Sequence, residues 1–83
     1  MKELERMRWR CRRGLLELDI VLGRFLDLHY GRLDEAQRAA FNVLLDVPDT
    51  LLWDMITGRE PPPPQGAAQQ RDVDAVLALL RTV

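Results

Sequence analysis

Apolar residues recur along this chain at helical intervals, and nowhere do they alternate in the way a half-buried strand requires. Leu4, Met7 and Cys11 make a first narrow stripe, with Lys2, Arg6, Trp9 and Arg13 on the other side and Gly14 interrupting. Residues 15–30 read as a second helix with Leu18, Val21, Leu22, Phe25 and Leu28 on its inner face, stopped by Gly31 as a left-handed C-terminal residue. Asp34 is the expected N-cap of a third helix running to about Asp46, with Glu35 suiting the positive helix end. Ala36, Ala40, Val43, Leu44 and Val47 supply its stripe. Pro48 suits the first position of a fourth helix, whose inner face is Leu51, Leu52, Met55 and Ile56 and whose stop is Gly58. The proline-rich stretch 59–69 cannot continue a helix and reads as a spacer, with a proline-recognition motif the alternative. A last helix begins near Gln70 and carries Val73, Val76, Leu77 and Leu80. The pattern therefore predicts an all-α fold, a small compact antiparallel bundle of about five short helices.

Composition agrees with this reading. The chain has 83 residues, 47% hydrophobic and 30% charged, enough to fold as one domain over residues 1–83. Strand formers are few: six Val, two Ile, three Thr and one Tyr. A domain this small cannot enclose a deep pocket without giving up core, which favours a binding or accessory protein over a stand-alone enzyme. One cysteine excludes an internal disulfide and a cysteine metal cage. No apolar run approaches the ~20 residues of a membrane span, and Glu3 and Glu5 argue against a transit peptide. The expectation is a bacterial cytoplasmic monomer with no direct membrane insertion.

Charge changes the picture more. The net charge is -1, yet residues 1–13 hold six basic and two acidic side chains. The acidic excess lies in the remainder. A basic first helix on an acidic body can steer a charged partner or be an ordinary solvated helix.

Candidate chemistry is concentrated in "CRRGLLELD", Cys11 to Asp19. A purely structural account is available for part of it. Gly14 ends one helix, Arg12 and Arg13 complement its negative end, and Glu17 and Asp19 complement the start of the next. Folding alone does not call for Arg6, Arg8 and Arg10, whose mutual repulsion adds nothing to it. Trp9 among arginines has the composition of an interface hot spot. A phase shift of one residue would instead place it in the core. His29, the only histidine, reads as a capping or packing residue, and Cys11 as a small core residue.

At these residues the chain resembles the SdhE-type succinate dehydrogenase assembly factors, the flavinylation factors of bacteria and mitochondria. Their R-G-x-x-E hallmark is met by Arg13, Gly14, Leu15, Leu16 and Glu17, and Trp9, Cys11, Arg12, Leu18 and Asp19 fit its bacterial flanks. "FNVLLDVPDTLLWDMITGREP" is similar to the family's second pattern, so the likeness spans roughly residues 8–61. The segment "PPPPQGAAQQ" is longer and richer in proline than that pattern. The resemblance implies a compact helical, SdhE-like domain and no catalytic residue of its own. It implies a chaperone that binds the flavoprotein subunit of succinate dehydrogenase, and in some bacteria that of fumarate reductase, and promotes covalent attachment of FAD. FAD is then the partner's cofactor, none being bound stably by the factor itself. The implied contact residues are Arg13, Gly14 and Glu17, then Arg12, Asp19 and Trp9, then Arg8 and Arg10. Two other classes stay open: a nucleic-acid-binding or antitoxin-like regulator using the arginine-rich first helix, against which the acidic body counts, and a small enzyme using His29 or Cys11.

Overall fold

The computed structural model describes residues 2–62 and 66–83, so Pro63, Pro64 and Gln65 of the proline-rich stretch lie outside the described residues. The described residues form five α-helices and no strand: α1 (Lys2–Arg10), α2 (Leu16–Leu28), α3 (Glu35–Leu45), α4 (Asp49–Ile56) and α5 (Ala67–Leu80). A single 3₁₀ turn, Tyr30–Arg32, links α2 to α3. None of these helices is long and apolar enough to cross a membrane.

α5 is the hub of the bundle. It packs on α3, α2 and α4, while α1 lies against α2. Val73, Val76, Leu77 and Leu80 of α5 are buried against Leu18, Leu22 and Phe25 of α2, Ala40, Phe41 and Leu44 of α3, and Leu52 and Met55 of α4 as one core. Phe25 and Phe41 stack at a tilt with centroids 4.8 Å apart, and Tyr30 meets Phe41 at 6.2 Å.

Local signals explain most boundaries. Asp34 accepts from the Gln37 backbone N–H at 2.8 Å, and the Gln37 side chain accepts from the Asp34 N–H at 3.1 Å, a complete capping box at the start of α3. Gly58 has φ +82 and follows α4 as the expected left-handed stop. Met7 and Cys11 are buried, with Leu4 packed beside them, as the first stripe requires.

Several expectations are corrected. Gly31 does not terminate α2 in a left-handed conformation: the helix ends at Leu28 and Gly31 lies inside the 3₁₀ turn. The turn has three residues, which suits the burial of both Tyr30 and Leu33. Leu28 is exposed, and Leu26 takes the inner place, because the core face of α2 is Leu18, Leu22, Phe25 and Leu26. Ala36 is exposed, while Phe41 and Leu45 are buried, so the stripe of α3 is rotated toward its bulkier residues. Leu51, expected on the inner face of α4, is exposed. Pro48 is the N-cap of α4 and precedes its first turn. α5 starts at Ala67, nearly a turn before Gln70.

Candidate functional site

The segment between α1 and α2 forms one corner of the molecule. α1 ends at Arg10, so the basic residues of its last turn are Arg8 and Arg10, and Arg12 and Arg13 lie in the connection beyond it. The chain turns at Gly14, whose φ of +86 is a conformation that side chains disfavour by roughly 1–2 kcal/mol. Nothing lies within 4 Å of the place a Cβ would occupy there. The glycine is thus needed for its backbone, and its outer face is open.

Asp19 fixes the turn from α2. Its Oδ1 accepts the Arg13 backbone N–H at 2.8 Å, and its Oδ2 accepts that of Gly14 at 3.3 Å. Its carboxylate therefore serves the loop as well as the start of its own helix. Arg13 fixes the turn from the opposite side. Its Nε donates to Asp49 Oδ1 at 2.5 Å, Nη1 to the Leu45 carbonyl and Nη2 to the Val47 carbonyl at 2.6 Å. All three guanidinium nitrogens are used: they bind the last carbonyl of α3, which has no partner within the helix, the Val47 carbonyl of the connection and the first residue of α4. The Arg13 side chain is only 13% exposed. It faces inward and holds Gly14 in place. Arg81 closes the end of α4 in the same manner, through the Met55 and Ile56 carbonyls.

The other arginines are placed differently. Arg8 pairs with Asp27 of α2 at 2.5 Å, and Arg10 reaches Asn42 of α3 and Asp46, the residue that caps it. The expectation that these two add nothing to folding is corrected: the basic helix rests on acids of the body, and each exposed pair contributes up to about 1 kcal/mol. Trp9 is 73% exposed, which settles its helix phase. The Arg12 guanidinium lies over its ring, 5.3 Å from the centroid. Glu17 is exposed on the first turn of α2, with no ion-pair partner among the described residues.

Between α1 and α2 runs a groove of about 490 Å³. Arg8 and Arg12 flank one side and Asp19 and Gly23 the other, with Gly14 in the loop between and buried Cys11 and Leu26 beneath. A smaller cleft of about 190 Å³ joins Arg12 and Arg8 to Trp9 and Glu5. All eight residues expected from the sequence belong to this corner or to the helix leading into it. Gly14, Glu17, Arg12 and Trp9 are exposed, Asp19 and Arg13 support the turn, and Arg8 and Arg10 tie α1 down.

The alternative chemistries find little here. Burial pushes the Cys11 thiol up to about 11, against the lowering effect of Arg13 and Arg10 nearby, so it is a neutral thiol under the core. His29 is the C-cap of α2, its ring tilted against Phe25 at 5.7 Å. No cluster of metal-ligating side chains occurs among the described residues. For nucleic acid, Arg8, Arg10 and Arg13 are already matched by Asp27, Asp46 and Asp49. Sequence reasoning missed these three partners. The acidic excess beyond residue 13 was their only signal.

Comparison with known proteins places the chain in a family. Residues 5–83 match the family model Sdh5, described as "Flavinator of succinate dehydrogenase". A Coxiella burnetii protein named FAD assembly factor SdhE is 47% identical over 58 residues, covering 70% of this chain and 71% of the relative. Its namesake from Ralstonia nicotianae is 41% identical over 78 residues, covering 94% of this chain and 80% of the relative. No solved structure matches the chain significantly.

Proposed function

The chain belongs to the family of flavinators of succinate dehydrogenase, and from that premise we propose that it is an assembly factor which binds the flavoprotein subunit of that enzyme and promotes covalent attachment of FAD. The flavoprotein of fumarate reductase is a second partner where the organism has one. The observation that carries the reading is Gly14: a backbone turn that is exposed, free of side chain and braced by Asp19 and Arg13. A partner can approach such a turn more closely than any side-chain-covered surface.

In this reading Gly14, Glu17, Arg12 and Trp9 meet the flavoprotein, and Arg13 and Asp19 act by holding the turn. Arg8 and Arg10 act by keeping α1, and with it Trp9, in place. The factor supplies orientation. Holding the flavin and its acceptor side chain in attack geometry can lower a barrier by several kcal/mol with no acid or base from the helper. FAD remains the partner's cofactor. Of the groove's two arginines, Arg8 is already paired with Asp27 and Arg12 lies over the Trp9 ring, and the Asp19 carboxylate on the facing side repels an anion, so the groove is not built around a pyrophosphate.

The test is complex formation with the apo flavoprotein of the same organism, read by gel filtration, together with in-gel flavin fluorescence after addition of FAD. Co-elution and a rise in fluorescence are expected. Glu17→Ala should weaken binding with little change in thermal midpoint. No complex and no rise, with a competent flavoprotein, would overturn the proposal.

A further inference from the structure

Three of the five large apolar side chains exposed among the described residues lie on one helix, α2: Leu16 at 71%, Ile20 at 48% and Leu28 at 57%. Single exposed leucines are ordinary, but these are in register. Leu16, Ile20, Arg24 and Leu28 follow one another at intervals of four, a continuous ridge of ~18 Å along the helix. Such a ridge is the element that enters the groove of another helix. Among the described residues nothing does so: α2 turns Leu18, Leu22, Phe25 and Leu26 toward the core, and the ridge is left outside. Its one charged member, Arg24, is exposed and has no carboxylate within ion-pair distance among the described residues.

We infer that this ridge is a second part of the docking surface, taking an amphipathic helix of the flavoprotein whose apolar face covers Leu16 and Ile20 and whose carboxylate pairs with Arg24. The inference rests on the assembly-factor reading above. Continuity carries the choice of occupant. Leu16 lies two residues after Gly14 and Ile20 follows Asp19, and both are exposed, so the ridge begins beside the turn and continues the exposed surface from it. A second copy of the chain is the other candidate. A stable interface needs about 800 Å² from each partner, and one four-residue ridge crossing its equal offers much less. Leu28 extends the same ridge beyond the motif, and the contact fades toward it.

The experiment measures affinity for the apo flavoprotein by calorimetry, with Gly14→Arg as reference and analytical ultracentrifugation of the free chain as control. The double variant Leu16→Gln, Ile20→Gln should bind about tenfold or more weakly while its circular dichroism and thermal midpoint are preserved. Arg24→Glu should weaken binding severalfold, and Arg24→Lys should restore most of it. If Gly14→Arg abolishes binding but the ridge variants bind like the parent, the ridge inference falls and the assembly reading stands. If none of the variants changes binding, both fall. A free chain that is dimeric, and becomes monomeric in the double variant, would make the ridge a self-interface and overturn the inference.

Discussion

Arg13 is the part of the motif that folding needs most, and Arg13→Met tests this. The substitution keeps most of the apolar stem and removes every guanidinium bond. It leaves the Leu45 and Val47 carbonyls and the Asp49 carboxylate without their donor. A hydrogen bond involving a charged group contributes about 1.5–3 kcal/mol net, and removing one partner of a buried pair costs about 3–5 kcal/mol. The pair here is not fully buried, at 13% exposure for Arg13 and 35% for Asp49. Water can enter and replace part of what is lost, so the expected cost is about 2–3 kcal/mol. For a domain of this size each kcal/mol moves the thermal midpoint by about 4–8 °C, so a fall on the order of 10–20 °C is expected. Urea denaturation followed by circular dichroism gives the free energy directly. Arg13→Lys keeps the charge but not the fork, and should recover less than half of the loss. A cost below about 0.5 kcal/mol for Arg13→Met, the range of ordinary surface substitutions, would refute the reasoning. Arg13 would then be free for the partner.

Further outcomes follow from neighbouring groups. Asp19→Ala removes the acceptor for two backbone N–H groups and should cost about 1–2 kcal/mol in the same denaturation assay. Alkaline stability should fall from about pH 9 upward. The Cys11 thiol rises from 9.0 to about 11 on folding, and the Tyr30 hydroxyl, buried and donating to Glu3, rises from 10.0 to about 12. For both groups the unfolded chain loses its proton first, so the stabilisation is complete below the unfolded pKa and is lost as pH climbs to the folded one. Cys11→Ala should remove the lower part of that slope in melts recorded between pH 8 and 11; an unchanged slope would show that the thiol is not shifted. On α2, Leu26→Ala should cost about 2–4 kcal/mol and Leu28→Ser about 0.5 kcal/mol or less; equal costs would contradict the observed helix phase.

The elements were legible where a local signal and the apolar period agreed. Asp34, read as an N-cap, and Gly58, read as a stop, mark boundaries through bonds made within a few residues. Errors arose where distant packing decided. Whether Leu26 or Leu28 turns inward is set by how α2 rests on α5 and α1, which no window of α2 contains. Gly31 offered a left-handed stop, but burial of Tyr30 and Leu33 required a tighter turn through it. The corner itself was visible as a motif, and Gly14 as its hinge. The division of labour within it was not. Arg13 and Glu17 look alike in sequence as charged members of R-G-x-x-E, yet one is spent on the Leu45 and Val47 carbonyls between α3 and α4 and the other faces outward. The difference depends on Asp49, 36 residues away, and on where α3 ends. The exposed ridge of α2 was hidden for the same reason, since apolar periodicity cannot say which of two faces will find a core.

The most direct test of the account is the rate of covalent flavinylation. Apo flavoprotein is mixed with FAD and either the parent chain or Gly14→Arg, with circular dichroism confirming that the variant is folded. The Cβ position at Gly14 is open, so the arginine side chain projects outward and its cost to folding is confined to the backbone. The account predicts faster flavin incorporation with the parent and none above background with the folded variant. Equal acceleration by both proteins would contradict it, because the exposed turn at Gly14 would then play no part in recognition.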